Sequence, residues 1–281
     1  MIKLNLLFLL LSSALLSADY ITGTVLDADT SKSILLVKLA TTGGEFQNNE
    51  TIRFKVGAGD REIDYKDRLI RAKAVYYANN WHLESVFPVD GLQAEIAQVI
   101  NNQLHEDTST KTRRRALRDG DYIPNFALLD QNGRFSQIKQ LRGKPFVLNF
   151  IFTRCMVPEM CPAATAKMSE LQVVAAQNNW ENLNFVSITM DPTFDSPGIL
   201  NEYMQANDLK PINFHLLTHF DSSVVEDILY QFGILTRDEN NTITHTMTTF
   251  LIDANGKIIY AKDGPRWSVD SIMKAAEPLF N

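Results

Sequence analysis

Cysteine is scarce in this chain: there are two in 281 residues, Cys155 and Cys161, both within TRCMVPEMCPA. That scarcity excludes a scaffold stapled by several disulfides, and the five residues between the pair exclude the C-x-x-C of a simple redox motif. Positive charge is in deficit too, with 27 Lys and Arg against 33 Asp and Glu, a net charge of −6. Binding to phosphate backbones needs clustered cations, so nucleic acid is excluded as a general partner. The one basic cluster, Arg113-Arg114-Arg115 with Lys111 and Arg118, is short and reads as a solvated linker or helix end. Long apolar runs are also missing. The longest, residues 4–16, is interrupted by Asn5, Ser12 and Ser13 and falls short of the ~20 residues that cross a bilayer.

What stands around that run is a positive opening, Met1-Ile2-Lys3, and the small residues Ser17-Ala18 before Asp19. The pattern reads as a signal peptide over residues 1–18 and predicts an exported, periplasmic protein. The alternative is an uncleaved segment that anchors the chain to the inner membrane and holds it close to the bilayer. No cysteine stands there to take a lipid. The remaining chain, ~260 residues, has room for one large domain or two smaller ones. Its composition, 45% hydrophobic and 21% charged, gives enough apolar mass for a core.

Residues 19–89 are strand-like: YITGTVLDAD, SILLVKLA, TIRFKVG and RLIRAKAVYYANNWHLESVF carry β-branched and aromatic residues between Gly, Asn and Asp clusters. Short strands at this spacing predict a small all-β domain, a barrel or a sandwich. GTVLDADTSKSILLVKL followed by TIRFKVG is similar to the five-stranded barrels of periplasmic copper-efflux metallochaperones, which bind metal through His and Met. Between Asp19 and Pro88 this chain has no Met, no Cys and a single histidine, His82. One imidazole beside Trp81 makes no metal site, so the domain reads as a module for contacts or spacing. In residues 91–104, Leu92, Ile96, Val99, Ile100 and Leu104 recur at helical spacing. The polar stretch HEDTSTKTRRRALRDGD follows, and the joint between domains is placed at 90–120.

From 121 to 281 strands alternate with helices. FVLNFIF leads into the cysteine loop and a helix with Ala164, Met168, Leu171 and Ala175 on one face. LNFVSITM, PGILNEYMQAN, NFHLLT, a helix with Val224, Val225, Ile228, Leu229 and Phe232, a hairpin across Asn255-Gly256 and a helix from Val269 complete the run. This order predicts an α/β sheet covered on both faces.

The order also resembles the thioredoxin superfamily, with IPNFALLDQNGRFSQIKQLRGKPFVLNFIFTRC as entry segment and TTFLIDANGKII as closing hairpin. More narrowly, FTRC followed by CP, SITMDPTFDSP and ITHTMTTFLIDANGKI resemble the SCO/SenC family of copper chaperones for cytochrome c oxidase assembly. The resemblance runs from about Pro124 onward and implies a thioredoxin-like domain with copper as cofactor. It also implies Cys155, Cys161 and His245 as the ligands, and as partner a respiratory oxidase subunit or another copper protein. The family usually has three residues between its cysteines. Here MVPEM makes five, and Pro158 must bulge the loop.

The residue types suit that chemistry. Thiolates select Cu(I), while imidazole suits both oxidation states, so the set can hold Cu(I) or Cu(II). A cysteine at the start of a helix is expected to gain thiolate character from the helix N-terminus, and Pro162 fits the first turn. The bland alternative is a structural disulfide of an exported protein, but a loop this small stabilises little. His245 taken alone reads equally as a hydrogen-bonded loop histidine, and His105, His215 and His219 are left out of the site. Asp191 ends a central strand and is a candidate to orient His245 or tune the metal from behind, or else a turn aspartate before Pro192. Met156, Met160, Met190 and Met247 flank the motifs and read as packing. Two other functions compete: a thiol–disulfide oxidoreductase acting on a partner's cysteines, and an assembly scaffold with incidental metal binding. Against the first stands Met247, where many thioredoxin-like enzymes carry a cis-proline.

Overall fold

The computed structural model describes residues 19–41, 46–110, 116–239 and 242–280. The signal-peptide reading of 1–18 lies outside the described residues, as do Lys111 and Arg113 to Arg115 of the basic cluster. Among the described residues, no helix is long and apolar enough to cross a membrane.

Strands β1 (Asp19–Asp29), β2 (Ile34–Thr41), β3 (Thr51–Lys55), β4 (Leu69–Tyr77) and β5 (Asn80–Pro88) close into a barrel of order β1-β2-β3-β5-β4, with a single helical turn, α1 (Ala58–Arg61), between β3 and β4. Alternation decides which residues face inward. Ile21 and Val25 of β1, Leu35, Val37 and Leu39 of β2, Phe54 of β3 and Ile70, Ala72 and Ala74 of β4 fill the interior. Between Ile21 and Val25 stands Gly23, where a Cβ would lie 2.6 Å from Val37 Cγ1, so the crowded interior admits only glycine there. Closure is completed by one parallel contact, Lys55 against His82.

Helix α2 (Leu92–Ser109) runs further into the polar stretch than its apolar periodicity predicts, and its buried face is turned from the expected one, sharing Leu104 with it and half-burying Ile96 and Ile100. Leu92 and Val99 are 67% and 70% exposed, while Ala97, Asn101 and Leu104 are buried. The reason is a polar contact that hydrophobic periodicity cannot register. Asn101 donates Nδ2–H to Ala127 O and accepts Ala127 N–H at Oδ1, both at 2.9 Å, so a buried amide is fully paired by main chain.

The C-terminal part contains β6 (Ala127–Asp130), β7 (Phe135–Gln137), β8 (Phe146–Ile151), α3 (Cys161–Gln177), β9 (Asn184–Thr189), α4 (Pro197–Ala206), β10 (Phe214–Thr218) and α5 (Ser222–Phe232). It continues with β11 (Thr236–Glu239), β12 (Thr242–His245), β13 (Thr248–Ile252), β14 (Ile258–Asp263) and α6 (Val269–Ala276). Seven strands form one sheet, β14-β13-β8-β9-β10-β6-β7, parallel across β8, β9 and β10 and antiparallel toward both edges. Every residue of β8 and β9 is buried, as strands covered on both faces require. This is a thioredoxin-like domain preceded by a small β-barrel. The loops that follow β8 and β9 lie at the carboxyl ends of parallel strands, where such sheets gather their sites.

Candidate metal centre

After Ile151 the chain leaves β8 through Phe152, Thr153 and Arg154, and Cys155 N–H returns to Phe152 O at 3.3 Å. The five-residue spacer is a compact turn rather than a slack loop. Met160 N–H donates to Val157 O at 3.0 Å, and Ala163 N–H, in the first turn of α3, donates to Pro158 O at 3.1 Å. The spacer thus satisfies a donor that a helix start otherwise leaves orphaned. Pro162 occupies the same turn and has no N–H to lose.

His245 ends β12, in a two-stranded hairpin with β11 that strand periodicity had not revealed. Its ring packs edge-on against Phe152. Nδ1 lies 3.0 Å from Thr246 O; a carbonyl can only accept, so Nδ1 carries the proton and Nε2 presents a lone pair. That lone pair faces Cys161 Sγ at 3.7 Å. The ligand atoms of Cys155, Cys161 and His245 all lie within 4.8 Å of one another, and both cysteines are free thiols. One ion with bonds of about 2.0 to 2.3 Å reaches three atoms so spaced after small side-chain adjustments.

The electrostatics depart from expectation in one respect. Burial pushes the Cys161 thiol up to about 12, further raised by its neighbour Cys155, although a backbone hydrogen bond at Phe152 opposes the shift. Desolvation therefore outweighs the helix N-terminus, and Cys161 is a neutral thiol at neutral pH. Burial also lowers the pKa of His245. A cation entering this site meets a neutral imidazole and a thiol that must give up its proton.

Asp191 does not reach His245. Its Oδ2 accepts Arg154 Nε–H at 2.6 Å and its Oδ1 accepts the Thr193 hydroxyl at 3.0 Å, so it anchors the residue next to Cys155. Sequence reasoning passed over Asp195, four residues on in the same motif. Fully buried, its carboxylate accepts Thr153 N–H at 3.1 Å, the Thr153 hydroxyl and the Thr189 hydroxyl. It ties the start of the cysteine loop to the end of β9, and burial raises its pKa to about 6. The second acidic residue of SITMDPTFDSP was its only signal. Of the methionines, Met190 and Met247 are buried, Met160 is half-buried and Met156 is 87% exposed. His105 pairs with Asp227 at 2.8 Å, away from the cluster.

The family model described as SCO1/SenC matches residues 114–277, more than half of the chain. A SCO2-like protein of Rickettsia typhi is 33% identical over 144 residues, 48% of this chain and 66% of the relative, so the match spans just under two thirds of that protein. The crystal structure of a SCO1/SenC family lipoprotein from Bacillus anthracis is 30% identical with a TM-score of 0.53, over 59% of this chain and 100% of that one. Arabidopsis thaliana ScoI, solved with copper bound, shares the fold at 20% identity and a TM-score of 0.50, over 58% of this chain and 98% of its own. With two thiols and an imidazole converging where β8 meets α3, and the family model spanning that whole region, this chain belongs to the SCO1/SenC family.

Proposed function

We propose that this protein is an exported copper chaperone that delivers copper to, or matures, the copper site of a respiratory oxidase. The observation that carries the reading is the convergence of Cys155, Cys161 and His245. Two sulfurs and one nitrogen form a soft set that favours Cu(I) and still accommodates Cu(II). Hard cations such as Mg²⁺ and Ca²⁺ prefer oxygen donors and are poorly served here. The raised Cys161 thiol weighs against the rival oxidoreductase, because rapid thiol–disulfide exchange needs a ready thiolate, whereas slow oxidation does not. The scaffold reading has no observation in its favour at this site.

Anaerobic titration tests the proposal. One copper per chain is expected, and the Cys155→Ser/Cys161→Ser double variant should lose tight binding. His245→Ala should keep weaker binding with an altered Cu(II) absorption spectrum. Unchanged stoichiometry in the double variant would sink the assignment.

A pH series adds a second expectation. Since Cys161 holds its proton up to about 12, binding must expel it across the neutral range. Apparent copper affinity should then rise at least tenfold per pH unit, that one proton being the minimum for a site of two thiols, and titration in weak buffer should record proton release. A flat affinity between pH 6 and 8 would mean that Cys161 does not coordinate.

A further inference from the structure

The barrel supplies no soft ligand, yet it packs directly on the segment that holds the cysteine loop. Among the contacts that join the parts, two bear on that segment. In the first, α1 meets α4 at a pair of glycines: a Cβ on Gly59 would fall 1.9 Å from Gly198 O, and one on Gly198 would fall 2.3 Å from Asp60 Oδ1. Gly59 N–H donates to Glu202 Oε1 at 2.7 Å, so a side chain of α4 accepts from the first turn of α1. Asp60, buried in the contact, accepts the Tyr65 hydroxyl at 2.8 Å. In the second, Ser85 of β5, held at a φ of 50°, donates its hydroxyl to Thr193 O at 3.3 Å.

Thr193 lies in segment 191–196, whose far side grips the cysteine loop. The Thr193 hydroxyl donates to Asp191, Asp191 holds Arg154, and the Arg154 guanidinium lies 5.0 Å over the Phe194 ring. Asp195 holds Thr153 by backbone and hydroxyl. An unbroken series of contacts therefore runs from Ser85 to Arg154, the residue before Cys155.

We propose that the β-barrel positions Cys155 for the metal, pressing segment 191–196 against the cysteine loop through the Gly59–Gly198 contact, Glu202 and Ser85. These are positioning residues and touch no ligand atom. The inference rests on the copper reading for its purpose, while its geometry is independent of the metal. Cys155, unlike Cys161, sits outside any helix or strand, and this segment holds both residues that precede it.

Two measurements on the full chain test it: Cu(I) affinity by chelator competition, and the rate at which Cys155 is alkylated in metal-free protein. Gly59→Val drives a wedge into the contact, and Glu202→Ala and Ser85→Ala loosen it without steric conflict. Each should weaken Cu(I) binding, the wedge by about tenfold or more, as loss of outer support typically does, and each should speed Cys155 alkylation. Glu202→Gln keeps an acceptor for Gly59 N–H and should return both values to wild type. Val37→Ala, which opens the barrel core, should lower the thermal midpoint without changing either. Equal effects from Val37→Ala at matched stability would reduce the barrel to a stabiliser and overturn the proposal, as would unchanged values in the three contact variants. Should Gly59→Val fail to fold, the Glu202 and Ser85 variants decide. If wild type takes up no copper, the copper reading falls, and the alkylation rates still test the positioning.

Discussion

Metal-free protein treated with a stoichiometric disulfide oxidant is expected to convert both thiols to an internal Cys155–Cys161 disulfide and to lose its tight copper uptake. The two thiols give up two electrons and two protons to the oxidant, and one S–S bond forms. The sulfurs already lie within 4.8 Å of each other, and a disulfide needs an approach to about 2.05 Å. Cys161 is fixed in the first turn of α3, while Cys155 stands in the loop before it, so the closing movement falls to Cys155. Oxidised, the site keeps one imidazole and no thiolate, which is no longer a copper site. Reduction should restore binding in full. Thiol counting by mass spectrometry, alongside copper stoichiometry, checks both halves. Two thiols that persist without forming an intermolecular product would mean that the sulfurs do not face each other.

Replacing Asp60 with Asn should remove much of the pH dependence of stability between about pH 4 and pH 7. Burial between the barrel and α4 raises the Asp60 carboxyl from 3.8 to about 7, against the opposing hydrogen bond from Tyr65. The folded-state pKa lies above the unfolded one. The folded chain therefore keeps this proton where the unfolded chain has lost it, and stability from this group is greatest at low pH and falls as pH rises toward 7. A shift of this size corresponds to a few kcal/mol, roughly 1.4 kcal/mol per unit. Asn does not ionise, and its carbonyl still accepts the Tyr65 hydroxyl. Denaturant unfolding at pH 5 and pH 8 should show the wild type losing stability with rising pH by more than Asp60→Asn does. Asp195, raised in the same direction, is common to both proteins and cancels in the difference. Identical pH responses would place Asp60 in a wetter setting than its 6% exposure implies.

The second expectation turns on what burial does to a polar group, and that was the least legible property in the sequence. The cysteine motif, SITMDPTFDSP and the closing hairpin could be read because each is local. A strand's alternation, a helix's period and a proline in a first turn act over a few residues, so the α/β order and the all-β N-terminal part followed from pattern. Helix α2 was legible as a helix, but its buried face only in part. Asn101 earns its place inside by pairing with the main chain of Ala127, a partner 26 residues away. The β11–β12 hairpin pairs Thr236 with His245 over strands of four residues each, too short for alternation to stand out.

By itself the sequence determined the candidate ligand types, the strand-to-helix corner that carries two of them and the order of elements in the sheet. Tertiary structure set His245 against Cys161, as the resemblance had implied, and it alone decided that Asp191 holds Arg154 and that Asp195 anchors the cysteine loop. It also decided that Cys161 is a protonated thiol, because desolvation scales with how completely the chain encloses a group. The glycines at 59 and 198 carry the same lesson. Each is ordinary in its own segment, and only the meeting of α1 with α4, across more than a hundred residues of chain, leaves no room for a side chain at either.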